Sequence, residues 1–198
     1  MMKVLIACEN SGTVRDAFIR EGHEAWSCDL LPSSSSDGPH YQIDALEAIK
    51  LQDWDLMIAH PSCQYLAVSG MHWTVRGFRD PKLSEDALAF VQKLMDSPIP
   101  RICIENPISI ISSRIRKPDQ IIQPYQFGHP ESKKTCLWLK GLTLLNPTNI
   151  LPLPESGRWS NQTPSGQNKL GPSQDRWKIR SKTYAGIAEA MASQWGKE

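Results

Sequence analysis

Asp55-Leu56-Met57-Ile58-Ala59-His60-Pro61-Ser62-Cys63-Gln64-Tyr65-Leu66-Ala67-Val68-Ser69-Gly70 is the stretch on which the fold turns. Its first five residues read as a buried strand, since a short apolar run bounded by turn residues suits a strand covered on both faces. The run stops at His60-Pro61, and a cysteine follows in a polar loop that leads to a Ser-Gly turn. A thiol at the carboxyl end of a strand lies where an open α/β sheet assembles its site. A second apolar run, Arg101 to Ile104, ends in Glu105-Asn106-Pro107. A glutamate there is costly to bury alone, so it is expected in a crevice or hydrogen-bonded. A cysteine and a glutamate brought by two strand ends suit attack on an electron-poor ring with an acid to assist.

Around this stretch the chain alternates strand and helix. Lys3 to Cys8 reads as a first strand, Glu9-Asn10-Ser11-Gly12 as a turn, and Val14 to Glu21 as a helix closed by Gly22. Glu24 to Cys28 reads as a second strand ending at Asp29, followed by a Ser/Pro/Gly loop from Leu31 to His40 and a short helix near Asp44 to Lys50. Ser84 to Met95 carries Ala87, Leu88, Val91, Leu94 and Met95 on one helical face. Thr135 to Leu139 reads as a further strand and Thr183 to Trp195 as an amphipathic helix. The expectation is an α/β fold, a doubly wound and mostly parallel sheet with helices on both faces.

The 198 residues suit one domain spanning 1–198. With 40% hydrophobic residues, 22% charged and a net charge of +1, the composition is that of an ordinary globular chain, neither strongly basic nor disordered. A nucleic-acid partner must then be met by a local basic patch. The apolar run at Met1 to Cys8 is too short for a signal peptide. No segment approaches the ~20 apolar residues of a membrane span. The expectation is a cytoplasmic protein with no membrane partner. Five widely spaced cysteines without a C-x-x-C pattern fit a reducing compartment and no zinc site.

Residues 151–182 differ from the rest: rich in Pro, Gly, Ser, Asn and Gln, they carry six basic side chains against two acidic ones. These read as a loop-rich basic insert. With Arg114 to Lys117, Lys133-Lys134 and the interleaved Trp73, Trp159 and Trp177, it suits tracking of a phosphate backbone and stacking on bases. Elsewhere, the turn after the first strand and Asp29, 17 residues beyond Gly12, are arranged as a doubly wound sheet holds a nucleotide-like cofactor. Asp44 is placed to accept from an exocyclic amine. The turn keeps one glycine where a dinucleotide fingerprint has three. His60, His72 and His129 lack metal-ligand spacing, and no metal is expected.

In order along the chain these pieces resemble the DNA cytosine-5 methyltransferase family, in particular its short phage and prophage forms. Ser62 to Gly70 is similar to the family's Pro-Cys-Gln nucleophile loop, Glu105-Asn106-Pro107 to its Glu-Asn-Val motif, and Tyr125 to Lys133 to its Tyr-Gly-x-Pro-Gln-x-Arg segment. Ser181 to Met191 falls at the family's closing helix. The resemblance implies a Rossmann-like S-adenosylmethionine-dependent fold and methyl transfer to carbon-5 of cytosine in DNA through a covalent cysteine adduct. The target cytosine would be flipped out of duplex DNA. It implies Cys63, Glu105 and Lys133 as catalytic residues. It places S-adenosylmethionine against Ala7, Cys8, Glu9, Asn10, Ser11, Gly12, Asp29, Leu30, Asp44, Ala45, His60 and Pro61. Nucleic-acid contacts are expected from Gln64, Arg76, Arg79, Lys134, Arg158, Lys169, Arg176, Lys178 and Arg180.

The chain departs from the family pattern at four points. Ser62 stands for the proline before the cysteine, and Glu9 and Asn10 degrade the glycine-rich turn. The family's paired arginines appear as Lys133 and Thr135, with Lys134 or Arg158 as candidate substitutes. The 45 residues from Leu139 to Thr183 stand where a large target-recognition domain is usual, so specificity is expected to be low or supplied by a protein partner. Three other readings stand beside this one: the same chemistry on RNA or a free cytosine nucleotide, a non-catalytic S-adenosylmethionine- or DNA-binding decoy, and a cysteine hydrolase using His60 or His72 as base.

Overall fold

The computed structural model describes residues 1–35, 38–166, 168–171, 173, 180–181 and 183–197. The apolar run that opens the chain forms β1 (Lys3–Ala7), and the run before Cys63 forms β4 (Leu56–Ala59). These two strands pair in parallel at the middle of a sheet. On one side lie β2 (Glu24–Cys28) and β3 (His40–Tyr41), and on the other β5 (Arg101–Pro107), β7 (Thr135–Lys140) and β6 (Gln120–Ile122). The order is β3-β2-β1-β4-β5-β7-β6. β1 to β5 are mutually parallel, and β7 runs antiparallel to both β5 and β6.

Alternation along the central strands sorts their side chains into two layers. Val4, Ile6, Leu56 and Ile58 pack with α1 (Thr13–Arg20) and α6 (Ala185–Trp195). Leu5, Ala7, Met57 and Ala59 pack on the opposite face with α2 (Ala45–Ala48) and α4 (Lys82–Met95). Two short helices, α3 (Met71–Val75) and α5 (Ile111–Arg114), follow the Cys63 loop and β5 respectively. α6 enters through Gly186, whose N–H donates to His129 Nε2 at 2.9 Å; a methyl group there would collide with the Phe127 carbonyl. Among the described residues no helix is long and apolar enough to cross a membrane.

The expected fold class is the observed one, with three differences of detail. β5 continues past Ile104 because β7 supplies antiparallel partners as far as Pro107↔Thr135, so Glu105 lies inside the strand and not after it. The short strands β3 and β6 lie in segments that carry no apolar run. Residues 151–166 contain no helix or strand, yet they are not all surface loop. Trp159, expected to stack on bases, is buried against the Tyr125 ring at 5.2 Å and 13°.

The order reverses between β1 and β4, where one half of the sheet grows toward β3 and the other toward β6. Such a reversal opens a crevice at the carboxyl ends of the two strands. Cys8-Glu9 follows β1 at that crevice and His60-Pro61 follows β4.

Candidate active site

β4 and β5 run side by side in register, Ile58 beside Cys103 and Ala59 beside Ile104. One step further, His60 and Glu105 meet: Nδ1 and Oε2 lie 2.7 Å apart, with side chains only 10% and 12% exposed. Among the described residues the hydrogen bond of Glu105 runs through Oε2, not Oε1. Burial alone raises the carboxyl pKa of Glu105. The His60 hydrogen bond and charge, with Lys133, outweigh it and hold the group below the usual carboxylate range. Burial lowers His60 in turn, but Glu105 and Glu9 bring it above the ordinary histidine value against the charge of Lys133.

The nucleophile loop is pinned from several sides. Asn106 Nδ2 donates to the Pro61 carbonyl at 2.8 Å, and Val68 N–H donates to Ile108 at 3.1 Å. Arg79 donates to the Gln64 carbonyl at 2.8 Å while its guanidinium lies over the Tyr65 ring. Cys63 itself is exposed, and its carbonyl accepts from Leu66 and Ala67. Protein around the sulfur raises the thiol pKa above its ordinary value, against the charges of Lys133 and Arg180, which lower it.

Lys133 reaches this group from the segment before β7. Its ammonium donates to the Arg180 carbonyl at 2.8 Å and lies over the Tyr184 ring. Arg180, expected to contact nucleic acid, adds its charge to that of Lys133 at the thiol, while Lys134 and Arg158 are exposed. Thr135 is buried in β7 and donates to the Lys133 carbonyl. Among the described residues three buried side-chain atoms at these strand ends carry no hydrogen bond: His60 Nε2, Asn106 Oδ1 and Ser109 Oγ.

At the end of β1 the expected cofactor residues gather in an unexpected way. Cys8 takes the positive φ of 59° that a glycine usually supplies, a strain of about 1–3 kcal/mol for a residue with a side chain. Glu9 is buried; its carboxylate accepts from the N–H groups of Val14 at 2.8 Å and Arg15 at 3.3 Å, and from the Ser11 hydroxyl. It therefore fills the amino end of α1, where Gly12 serves as N-cap at φ 74°. Asp29 accepts from Leu31 N–H and Asp44 caps α2 through Leu46 N–H, each with one carboxylate oxygen. Burial, then the charges of the neighbouring Cys28, Asp29 and Asp44, pushes the Cys8 thiol up. Ala7 and Ala45 are buried, Asn10 is half-buried and Leu30 is exposed.

Of the other expected nucleic-acid contacts, Gln64, Arg76, Lys134, Arg158 and Lys169 are exposed, while Arg79 is committed to the Cys63 loop. Arg176 and Lys178 lie outside the described residues, as does Trp177. Sequence reasoning missed Phe78, an exposed ring in edge contact at 5.7 Å with the exposed Trp73 that was expected to stack on bases. It also missed Glu131, which accepts from Tyr184 at 2.5 Å and from Asn161. For a hydrolase, Glu105 orients His60 through Nδ1 as it would a base, but His60 Nε2 hydrogen-bonds nothing among the described residues, Cys63 included, and His72 Nδ1 faces the Ser69 carbonyl.

The geometry makes Cys63 a protonated, accessible thiol. Its alkylation by iodoacetamide is expected to quicken about tenfold per pH unit from pH 7 to 9, because the thiolate is the nucleophile. Lys133→Met should slow it at every pH, since removing that positive charge raises the thiol pKa further. Peptide mass spectrometry with stopped time points gives the rates; a rate already flat at pH 7 would contradict a neutral resting thiol.

No protein-family model matches the chain, and no curated protein matches it. Solved structures do. A prophage-encoded Escherichia coli protein described as a DNA modification methyltransferase aligns at 14% identity and a TM-score of 0.50, over 77% of this chain and 53% of its own. The Entamoeba histolytica methyltransferase EhMeth aligns at 15% identity and a TM-score of 0.52, over 76% of this chain and 58% of its own. The chain thus spans little more than half the length of either. At such identities the likeness is one of fold: the sheet and its covering helices form the Rossmann-like fold of S-adenosylmethionine-dependent methyltransferases.

Proposed function

We propose that the chain transfers a methyl group from S-adenosylmethionine to carbon-5 of a cytosine in a nucleic-acid strand, through an adduct with Cys63. The observation that carries this reading is the pairing of β4 with β5, which delivers an accessible thiol and a half-committed carboxylate to one crevice. Likeness in fold to methyltransferases supports the reaction class.

The crevice suits the cofactor for a physical reason. A pyrophosphate cofactor binds at free N–H groups of a helix N-terminus, and here Glu9 already occupies them. S-adenosylmethionine has no phosphate and carries a positive sulfur, which suits a turn whose Cys8 thiol is pushed up by the charges of Asp29 and Asp44. When bound, it supplies an electrophilic methyl group.

Carbon-5 of cytosine is too electron-poor to take that methyl unaided. Addition of the Cys63 sulfur to carbon-6 makes the ring nucleophilic at carbon-5. Glu105 Oε1 holds the ring nitrogen and exocyclic amine edge, favouring that addition. Lys133 and Arg180 stabilise the thiolate as it forms. A hydrolase reading lacks a histidine against Cys63, and a binding-only decoy needs neither an accessible thiol nor the buried pair.

Exposed Trp73 and Phe78 beside Arg76 favour a strand over a free nucleotide, since aromatic rings stack on bases while arginine meets phosphate. Labelled S-adenosylmethionine offered with duplex DNA, single-stranded RNA and dCTP tests the reading. Label is expected in 5-methylcytosine of a polymer. Label only in dCTP would transfer the chemistry to a free nucleotide, and cofactor binding without label in any of the three would favour the decoy.

A further inference from the structure

We propose that His60 is a positioning residue for Glu105: it clamps one carboxylate oxygen, leaves the other to the cytosine edge, and shares with Glu105 the proton that the ring borrows during addition. This rests on the cytosine-5 reading above. The geometry is specific. Nδ1 and Oε2 are 2.7 Å apart, both side chains are about nine-tenths buried, and the two residues leave neighbouring parallel strands at the same level. Among the described residues His60 Nε2 is buried without a hydrogen-bond partner, and so are Asn106 Oδ1 and Ser109 Oγ, just beyond Glu105 along the chain.

Addition needs a proton. As the Cys63 thiolate forms its bond to carbon-6, the carbon-5–carbon-6 π pair shifts to carbon-4–carbon-5. The carbon-4–nitrogen-3 pair then settles on nitrogen-3, which takes up one proton. When carbon-5 has been methylated, its proton passes to solvent, the freed C–H pair forms the carbon-5–carbon-6 bond, the sulfur leaves with its own bonding pair, and nitrogen-3 returns the borrowed proton to the pair. A lone carboxylate held low in pKa has no proton to lend at neutral pH. A coupled pair has one, and its titration belongs to the pair and not to either residue. Glu105 from β5, in direct contact, and the charges of Glu9 after β1 and Lys133 before β7 act on His60. The two carboxylates favour its protonation and the ammonium opposes it, while burial opposes it from all sides.

The first test needs no substrate. Nitrogen-15 histidine spectra across pH, with His60 assigned by His60→Asn, should show His60 titrating above the ordinary histidine value. Glu105→Gln should move it below, because burial then acts without the carboxylate. The second test is single-turnover methyl transfer across pH. The wild type should lose activity on the alkaline side with the midpoint seen for His60. His60→Ala should lower the rate about 100-fold. His60→Asn, which keeps an N–H for Oε2 but no titration, should recover most of that rate and lose the alkaline limb.

An unmoved His60 midpoint in Glu105→Gln, or a His60→Asn enzyme that keeps the limb, overturns the proposal while leaving the methyl-transfer reading intact. A wild-type protein that couples His60 to Glu105 yet methylates nothing sinks both.

Discussion

Cys63→Ala is expected to abolish methyl transfer, by about 10⁴-fold or more as for other covalent nucleophiles, while S-adenosylmethionine binds within about twofold of the wild type. The separation follows from where the loop gets its shape. Its contacts run through backbone and through other side chains: Leu66 and Ala67 N–H to the Cys63 carbonyl, Asn106 to Pro61, and Arg79 to Gln64. All of them survive removal of the sulfur. The residue is exposed, so its truncation leaves no core cavity and should alter stability by less than about 0.5 kcal/mol. Isothermal titration with the cofactor and a transfer assay on the same preparation separate binding from chemistry. Unchanged transfer by the alanine variant would remove Cys63 from the reaction altogether.

Glu105→Gln comes second in size, with an expected loss of about 10²–10⁴-fold in turnover. The amide keeps the volume and the β5–β7 ladder, which is a backbone matter. It cannot be an acceptor at both positions, and it deprives His60 of the charge that keeps it protonated. Stability should fall by about 1–3 kcal/mol, the usual effect of a buried polar partner lost. Glu105→Asp makes the complementary point. It keeps the charge but draws the carboxylate back by one methylene, and a misplacement of about 1 Å can itself lower the rate 10²-fold. Turnover near wild type in Glu105→Gln, measured on the same substrate, would show that the base edge is held by another group.

The central sheet was legible because β1, β4 and β5 are buried on both faces and so appear as unbroken apolar runs. β3, a two-residue strand at His40–Tyr41, and β6, at Gln120–Ile122, have no such pattern. The antiparallel run of β7 was not legible either, because its apolar residues look the same in both directions. The thiol and the glutamate could be read from the strand ends, since position at a strand's carboxyl end is local information. Their coupling through His60 could not, as it depends on the register between β4 and β5, 45 residues apart at the contact. The turn after β1 was misjudged for a related reason. Glu9 and Asn10 looked like lost glycines, whereas Cys8 takes the positive φ and Glu9 turns inward to cap α1. Trp159 looked like a stacking residue in a basic loop and is instead covered by Tyr125. Polar composition marks a loop but not which of its aromatics are buried.

The most direct measurement is nucleoside mass spectrometry for 5-methylcytosine, in DNA and in RNA, from a host without its own cytosine methylation. Cells expressing the chain are compared with cells expressing Cys63→Ala at equal soluble protein. A mark with Cys63 and none with alanine is the expected result, and the polymer that carries it names the substrate. No mark in either nucleic acid, from protein that binds S-adenosylmethionine, would contradict cytosine-5 transfer to a strand.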